Sequence, residues 1–194
     1  MKKVILGLAM VFGTMAMAQK IGVKAGGNLS SLTEDDTKSQ FGYYAGLTLN
    51  APLTAKLSIQ PEVIYSAQGA ELKNGSFGLP SSAEVHFNLG YINVPIMFQY
   101  ELAEDFKVEA GPQFGFLTSA KAKAKYNGIS ASQDMKDIVN TFDFGIGLGA
   151  AYNFTPNLYM NARYTAGITD IAKNNSGDAV RNNVFQLGLG YTFK

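Results

Sequence analysis

From residue 20 onward, large apolar residues return at every second position, and the pattern recurs eight times along the chain. The stretch VFQLGLGYTFK at 184–194 shows it plainly. Phe185, Leu187, Leu189, Tyr191 and Phe193 alternate with Gln186, Gly188, Gly190 and Thr192. A period of two belongs to the β-strand, because successive side chains point to opposite faces of a sheet. A chain patterned this way is all-β. The open question is which face meets water.

Eight strands are predicted, over 20–28, 41–50, 56–68, 85–100, 106–117, 141–154, 157–169 and 183–193. The connections after the second, fourth and sixth are short: APLTAK, ELAED and TPN. Those after the first, third, fifth and seventh are long and polar, and SQDMKDIVN in the third of them has room for a short helical turn. Even strand number, short turns at one end and long loops at the other form the layout of an outer-membrane barrel. Strands near ten residues suit a tilted crossing of the bilayer.

The two faces of each strand decide between lipid and a soluble core. Strand six sets Phe142, Phe144, Ile146, Leu148, Tyr152 and Phe154 against Asp143, Gly145, Gly147, Gly149 and Asn153. Strand seven sets Leu158, Met160, Tyr164 and Ile168 against Tyr159, Asn161, Arg163 and Thr165. Strands three and five repeat the division, and no apolar face carries a charge. A soluble sandwich also has one apolar face, so the polar faces decide. They hold Gly, Asn, Gln and Ser with isolated charges, in a chain only 16% charged. Small polar residues suit the interior of an eight-stranded barrel, which is just wide enough to be filled by side chains. The apolar residues are too bulky for that interior. Turned outward they exceed the patch that water tolerates, and lipid becomes their solvent. Tyr100, Phe106, Tyr152, Phe154, Tyr191 and Phe193 gather near the short-turn end, as an interfacial belt requires. The expectation is an eight-stranded antiparallel up-and-down transmembrane β-barrel.

Strand four breaks parity. Val85, Phe87 and Leu89 are apolar at odd positions, but Ile92, Val94, Ile96 and Phe98 at even ones. Either a β-bulge near Gly90 and Tyr91 restores the facing, or the first part stands above the membrane.

The N-terminus has the form of an export signal. A basic start, an apolar run at 4–15 and the Ala16-Met17-Ala18 pattern place cleavage before Gln19. That divides the chain into a signal peptide, 1–18, and a barrel domain, 19–194. The chain has no cysteine, which excludes disulfides and thiolate metal sites. A net charge of +1 gives no electrostatic case for nucleic acid.

Six charges fall on inward faces: Lys24, Glu62, Lys107, Glu109, Asp143 and Arg163. Three are basic and three acidic. Buried charges need partners, so these residues form a candidate lumen network that closes the pore.

Three stretches resemble a known family: LSIQPEVIYSAQG at 57–69, YINVPIMFQYEL at 91–102, and IGVKAGGNLSSL at 21–32. In order and spacing they resemble the PorT-like outer-membrane β-barrel proteins of Bacteroidota, over essentially the whole mature chain. The resemblance implies fold and location, the bacterial outer membrane with its lipid as surroundings. The founding member is associated with secretion, and no residue here marks that role. Gln186, Gly188, Tyr191 and Phe193 match the closing strand of such barrels, which implies recognition by the barrel assembly machinery. Lys194 after the final aromatic departs from the commonest form.

Catalytic, cofactor and metal sites are not expected. His86 is the only histidine, and no nucleophile motif surrounds Ser66 or Ser82 as a triad would need. Glu34-Asp35-Asp36 lacks the spaced ligands and turn glycine of a calcium loop. Gly26-Gly27-Asn28 and GIGLGAAY lie in strands with no following helix, which argues against a phosphate cradle. The KAKAK run at 121–125 reads either as a contact for an anionic surface polymer or as a solvated hairpin extension. The functional expectation is a non-enzymatic barrel with a structural or surface-interaction role through its long loops, with an envelope or surface protein as an open partner. A small-solute or hydrophobic-ligand channel and an accessory part of a secretion complex are the alternatives.

Overall fold

The computed structural model describes residues 19–34, 36–73, 80, 84–126, 129–175 and 177–193. The expected signal peptide, Asp35, Ser82 and Lys194 lie outside them. Among the described residues there are nine strands: β1 Lys20–Leu32, β2 Thr37–Pro52, β3 Leu57–Leu72, β4 Glu84–Ala103, β5 Phe106–Tyr126, β6 Ile129–Asp134, β7 Phe142–Asn153, β8 Leu158–Gly167 and β9 Asn182–Thr192. Eight of them pair neighbour to neighbour, all antiparallel, and β9 pairs back onto β1. The sheet closes on itself, which removes the free edges that an open sheet leaves.

The ninth strand, β6, is outside that ring. It pairs only with the far part of β5, from Lys121↔Asp134 to Tyr126↔Ile129. The Lys-Ala alternation keeps period two beyond the expected end of strand five, so β5 runs on as one arm of a hairpin. The expected helical turn at 132–140 is replaced: its first residues belong to β6, and Ile138 N closes a tight turn onto Met135 O at 3.1 Å. Several other strands also outrun their expected ends, because the pairing continues past the apolar alternation.

The faces separate as the alternation requires. Leu148 is 61% exposed, and Ile21, Leu47, Ile146, Leu187 and Leu189 also stand outward. Arg163, Glu62, Gln186, Asn28 and Ser66 are buried inside. Tyr100, Tyr152, Phe154, Tyr191 and Phe193 form an outward belt near the short turns, with Tyr152–Phe154 and Tyr191–Phe193 rings 5.5 Å apart. A second aromatic cluster, Phe41, Tyr43, Tyr65, Phe116 and Phe142, stands toward the long loops. Two girdles flanking an apolar band are what a bilayer with two interfaces selects.

The irregularity in strand four falls where parity breaks, but its extra residue is on the partner. Gly90 faces Ser119 and Tyr91 faces Leu117, leaving Thr118 unpaired on β5. Facing along β4 therefore does not change: Leu89 and Tyr91 are both buried. The odd-numbered apolar residues are not restored to lipid. Leu89 packs with Leu117, Ala120, Val139 and Ile171 under the long loops, and Phe87 lines an apolar cavity there, because above the bilayer burial takes apolar side chains out of water.

Candidate functional site

Four charges meet inside the barrel. Arg163 on β8 donates from Nη1 to Glu62 Oε2 at 2.9 Å and from Nη2 to Glu62 Oε1 at 2.8 Å. Its Nε donates to Glu109 Oε1 at 2.7 Å. Lys24 Nζ lies 2.8 Å from Glu62 Oε2. The four side chains come from β1, β3, β5 and β8, which are every second strand around the ring. Their charges sum to zero. All four are almost wholly buried, with side-chain exposures of 0–2%.

The geometry uses what each residue type offers. The planar guanidinium presents a fork that matches a carboxylate edge and still has Nε for a second acceptor. Lysine could not span both glutamates this way. The remaining acceptor capacity is taken up by amides: Gln60 Nε2 donates to Glu62 Oε1 at 2.9 Å, and Gln99 Nε2 to Glu109 Oε2 at 3.0 Å. Asn50 Nδ2 then donates to Gln99 Oε1 at 3.0 Å. The Lys24 ammonium also lies 5.6 Å from the centre of the Tyr44 ring, within reach of a cation–π attraction. Satisfying the lone pairs matters because desolvating ions costs more than an imperfect pair returns.

Glycine makes the room. A Cβ on Gly149 would stand 2.9 Å from Glu109 Oε1 and 2.6 Å from Ala162 O. Gly149 faces Arg163 across β7 and β8, so the small residue lets Arg163 and Glu109 meet.

Of the six inward charges, Lys24, Glu62, Glu109 and Arg163 share this layer, and Lys107 and Asp143 do not. Lys107 is two residues from Glu109 toward the short turns, about 7 Å along the strand. It lines a chamber of about 370 Å³ with Asn50, Gln60, Gln99 and Tyr159. Asp143 pairs with Gly115, whereas the Glu109 level is at Gly149. That is six residues, about 20 Å, toward the loops. There Asp143 Oδ1 accepts from Thr169 Oγ1 at 2.8 Å. Height along the barrel separates these groups, and alternation carries no information on height.

The sequence reading missed the amides and Tyr44 as parts of the site. Gln60 sits on the same polar face as Glu62, so a rule that weighed amides with charges would have included it. No such signal marks Tyr44, a large aromatic that lies wholly inside. Met97 and Ile64 are likewise buried inward, so the lumen accepts more bulk than the polar faces suggested.

In the closing strand, Gln186 is buried in the lumen and Gly188 packs against Gly26 and Tyr44, while Tyr191 and Phe193 point outward. Ser66 Oγ lies in the lumen, accepting from Asn28 Nδ2 at 3.0 Å and Gln68 Nε2 at 2.9 Å. His86 is on β4 beyond the irregularity, opposite Glu71 on one side and Lys123 on the other. Glu34 and Asp36 border an apolar cavity at the loop end.

A family model described as an outer membrane protein beta-barrel domain matches residues 17–173. Solved structures of the same fold include Ail, the attachment invasion locus protein of Yersinia pestis, at 19% identity and a TM-score of 0.53. Neisserial surface protein A is similar at 16% identity and 0.56, and a major outer membrane protein from Thermus thermophilus at 16% and 0.52. Each comparison covers 91% of this chain and 100% of the other. At these identities the likeness shows the fold alone. No curated protein sequence matches.

Proposed function

The chain belongs to the outer membrane protein β-barrel domain family, and from that premise we propose that it is a plugged, non-enzymatic barrel whose long loops carry its role at the surface. It resides in the bacterial outer membrane, surrounded by lipid. One observation carries the reading: a neutral, hydrogen-bonded layer of four charges fills the lumen, with exposures of 0–2%. Lys24, Glu62, Glu109 and Arg163 leave no room at that level for a hydrated solute. A barrel closed there offers its outer face and its loops for function, and loops on a rigid scaffold are where specificity concentrates.

Planar-bilayer recording tests this. The purified barrel should give little or no steady conductance. Large, stable channels would overturn the plug and establish the solute-channel alternative instead.

The finer attributions rest on sequence. An export signal at 1–18, a PorT-like affinity within Bacteroidota, and handling of Gln186, Gly188, Tyr191 and Phe193 by the barrel assembly machinery form one consistent account. It predicts heat-modifiable mobility on gels and recovery with outer membranes; recovery from the soluble periplasm would sink it. A protein partner in the envelope or a secretion complex is sought by cross-linking in intact outer membranes.

A further inference from the structure

At the long-loop end, three connections are tied together. Thr33 N donates to Arg181 O at 3.1 Å, and Arg181 N donates back to Thr33 Oγ1 at 2.8 Å. Asn140 N donates to Ile171 O at 2.7 Å, and Lys173 N to Ile138 O at 2.9 Å. Met135 N donates to Ala120 O at 2.9 Å. The backbone bonds make one braced cap of what would otherwise be separate loops.

That cap holds an apolar cavity of about 240 Å³, walled by Leu72, Phe87, Leu89, Met135, Val139 and Ile171 among others. Its charged borders, Glu34, Asp36 and Lys121, are exposed residues and mark the mouth. Below it Leu89, Tyr91, Val139 and Ile171 pack together. Asp143 and then the Arg163 layer lie deeper. The cavity is therefore a cup with that packed cluster beneath it.

The cup is open at its mouth, so its apolar walls meet water unless something apolar displaces it. The cup has room for about eight waters at about 30 Å³ each. Water is a poor occupant, because each molecule needs two to four polar partners and the apolar walls offer few. A dry apolar cavity of about 150 Å³ in another protein takes up benzene, and this one is larger. It is smaller than the pockets of about 300–1,000 Å³ that hold drug-sized ligands. Apart from Glu34, Asp36 and Lys121 at the mouth, no charged side chain among the described residues lines the cup, so its walls hold no cation to neutralise an anionic head.

We propose that this cup binds a small uncharged apolar molecule, of the size of a medium-chain alkyl compound or a single aromatic ring, taken up at the long-loop end. The proposal goes beyond the plugged-barrel reading and stands whether or not the lumen conducts.

The test uses methyl-labelled methionines in the full barrel held in lipid nanodiscs. Met135 lines the cup. Met160 stands on the lipid-facing side and reports probe dissolved in the membrane. Decan-1-ol should shift the Met135 methyl saturably and leave Met160 without a saturable response. Decanoate at neutral pH should shift Met135 less at equal concentration. Ala172→Phe, which fills the cup from its wall, should abolish the Met135 response. Shifts of Met135 and Met160 that rise together without saturation would overturn the proposal. So would a motionless Met135, an equal response to decanoate, or an undiminished response in A172F.

Discussion

Arg163 and Glu62 face each other across the barrel from β8 and β3, strands on opposite sides of the ring, and join through two hydrogen bonds of 2.9 and 2.8 Å. The pair is a strut across the lumen. Lys24 and Glu109 brace it from β1 and β5.

Removing the strut should be costly. Arg163→Ala leaves Glu62 and Glu109 facing each other with Lys24 as the nearest cation. Breaking a buried ion pair from one side typically costs about 3–5 kcal/mol. Urea titration of the barrel folded in lipid vesicles should show a loss of that order. Arg163→Lys should recover only part of it, because an ammonium cannot bridge both carboxylates bidentately. Wild-type stability in R163A would refute the strut.

Emptying the layer should open the lumen. With Lys24, Glu62, Glu109 and Arg163 all replaced by alanine, no charge is left unpaired, and the barrel is expected to fold. Single-channel recording should then show steady conductance absent from the parent. A quadruple variant that folds and stays silent would place the closure elsewhere.

Charge on the outer face should be tolerated poorly. Leu148 is among the most exposed apolar residues and sits in the middle of β7. Leu148→Arg should lower stability in bilayers by about 2–4 kcal/mol, the range for arginine near the bilayer midplane of a barrel. A neutral effect would mean that Leu148 does not face hydrocarbon.

Acid should loosen the cap before the barrel. Asp170 lies in the connection between β8 and β9. Its Oδ1 accepts from Ala172 N at 2.9 Å and Val180 N at 3.1 Å, and Oδ2 from Asn175 Nδ2 at 2.9 Å. The Ala172 amide, then the Asn175 side chain, hold its carboxyl below the ordinary value of 3.8. A depressed folded value means the contribution is complete above 3.8 and is lost as pH falls through the lowered value. Amide shifts of Ala172 and Val180 should therefore hold at neutral pH and move only in strong acid. Asp170→Asn should show the acid-like shifts at neutral pH.

Much of the fold was legible because alternation is local. Phe185, Leu187 and Leu189 against Gln186 and Gly188 name a strand and its two faces from a single short stretch. The absence of charge on one face repeats that information strand by strand. Strand ends were less legible, since pairing carries β5 through Lys121 and Lys125 into a hairpin with β6 where the apolar alternation stops. For Val85, Phe87 and Leu89 the sequence left a bulge and a place above the membrane both open, because an apolar face looks the same whether it meets lipid or a loop, and Leu89 packs in the cluster under the loops.

The sequence by itself determined the β-barrel class and the division into apolar and polar faces, and it offered six inward charges as candidates, since each follows from side-chain period and residue type. Tertiary structure alone decided which of those charges meet. Stagger between strands brings Lys24, Glu62, Glu109 and Arg163 to one height and leaves Lys107 and Asp143 at others. It also decided that three distant connections enclose an apolar cup. Height and closure depend on register between strands far apart in the chain, and no local pattern records that.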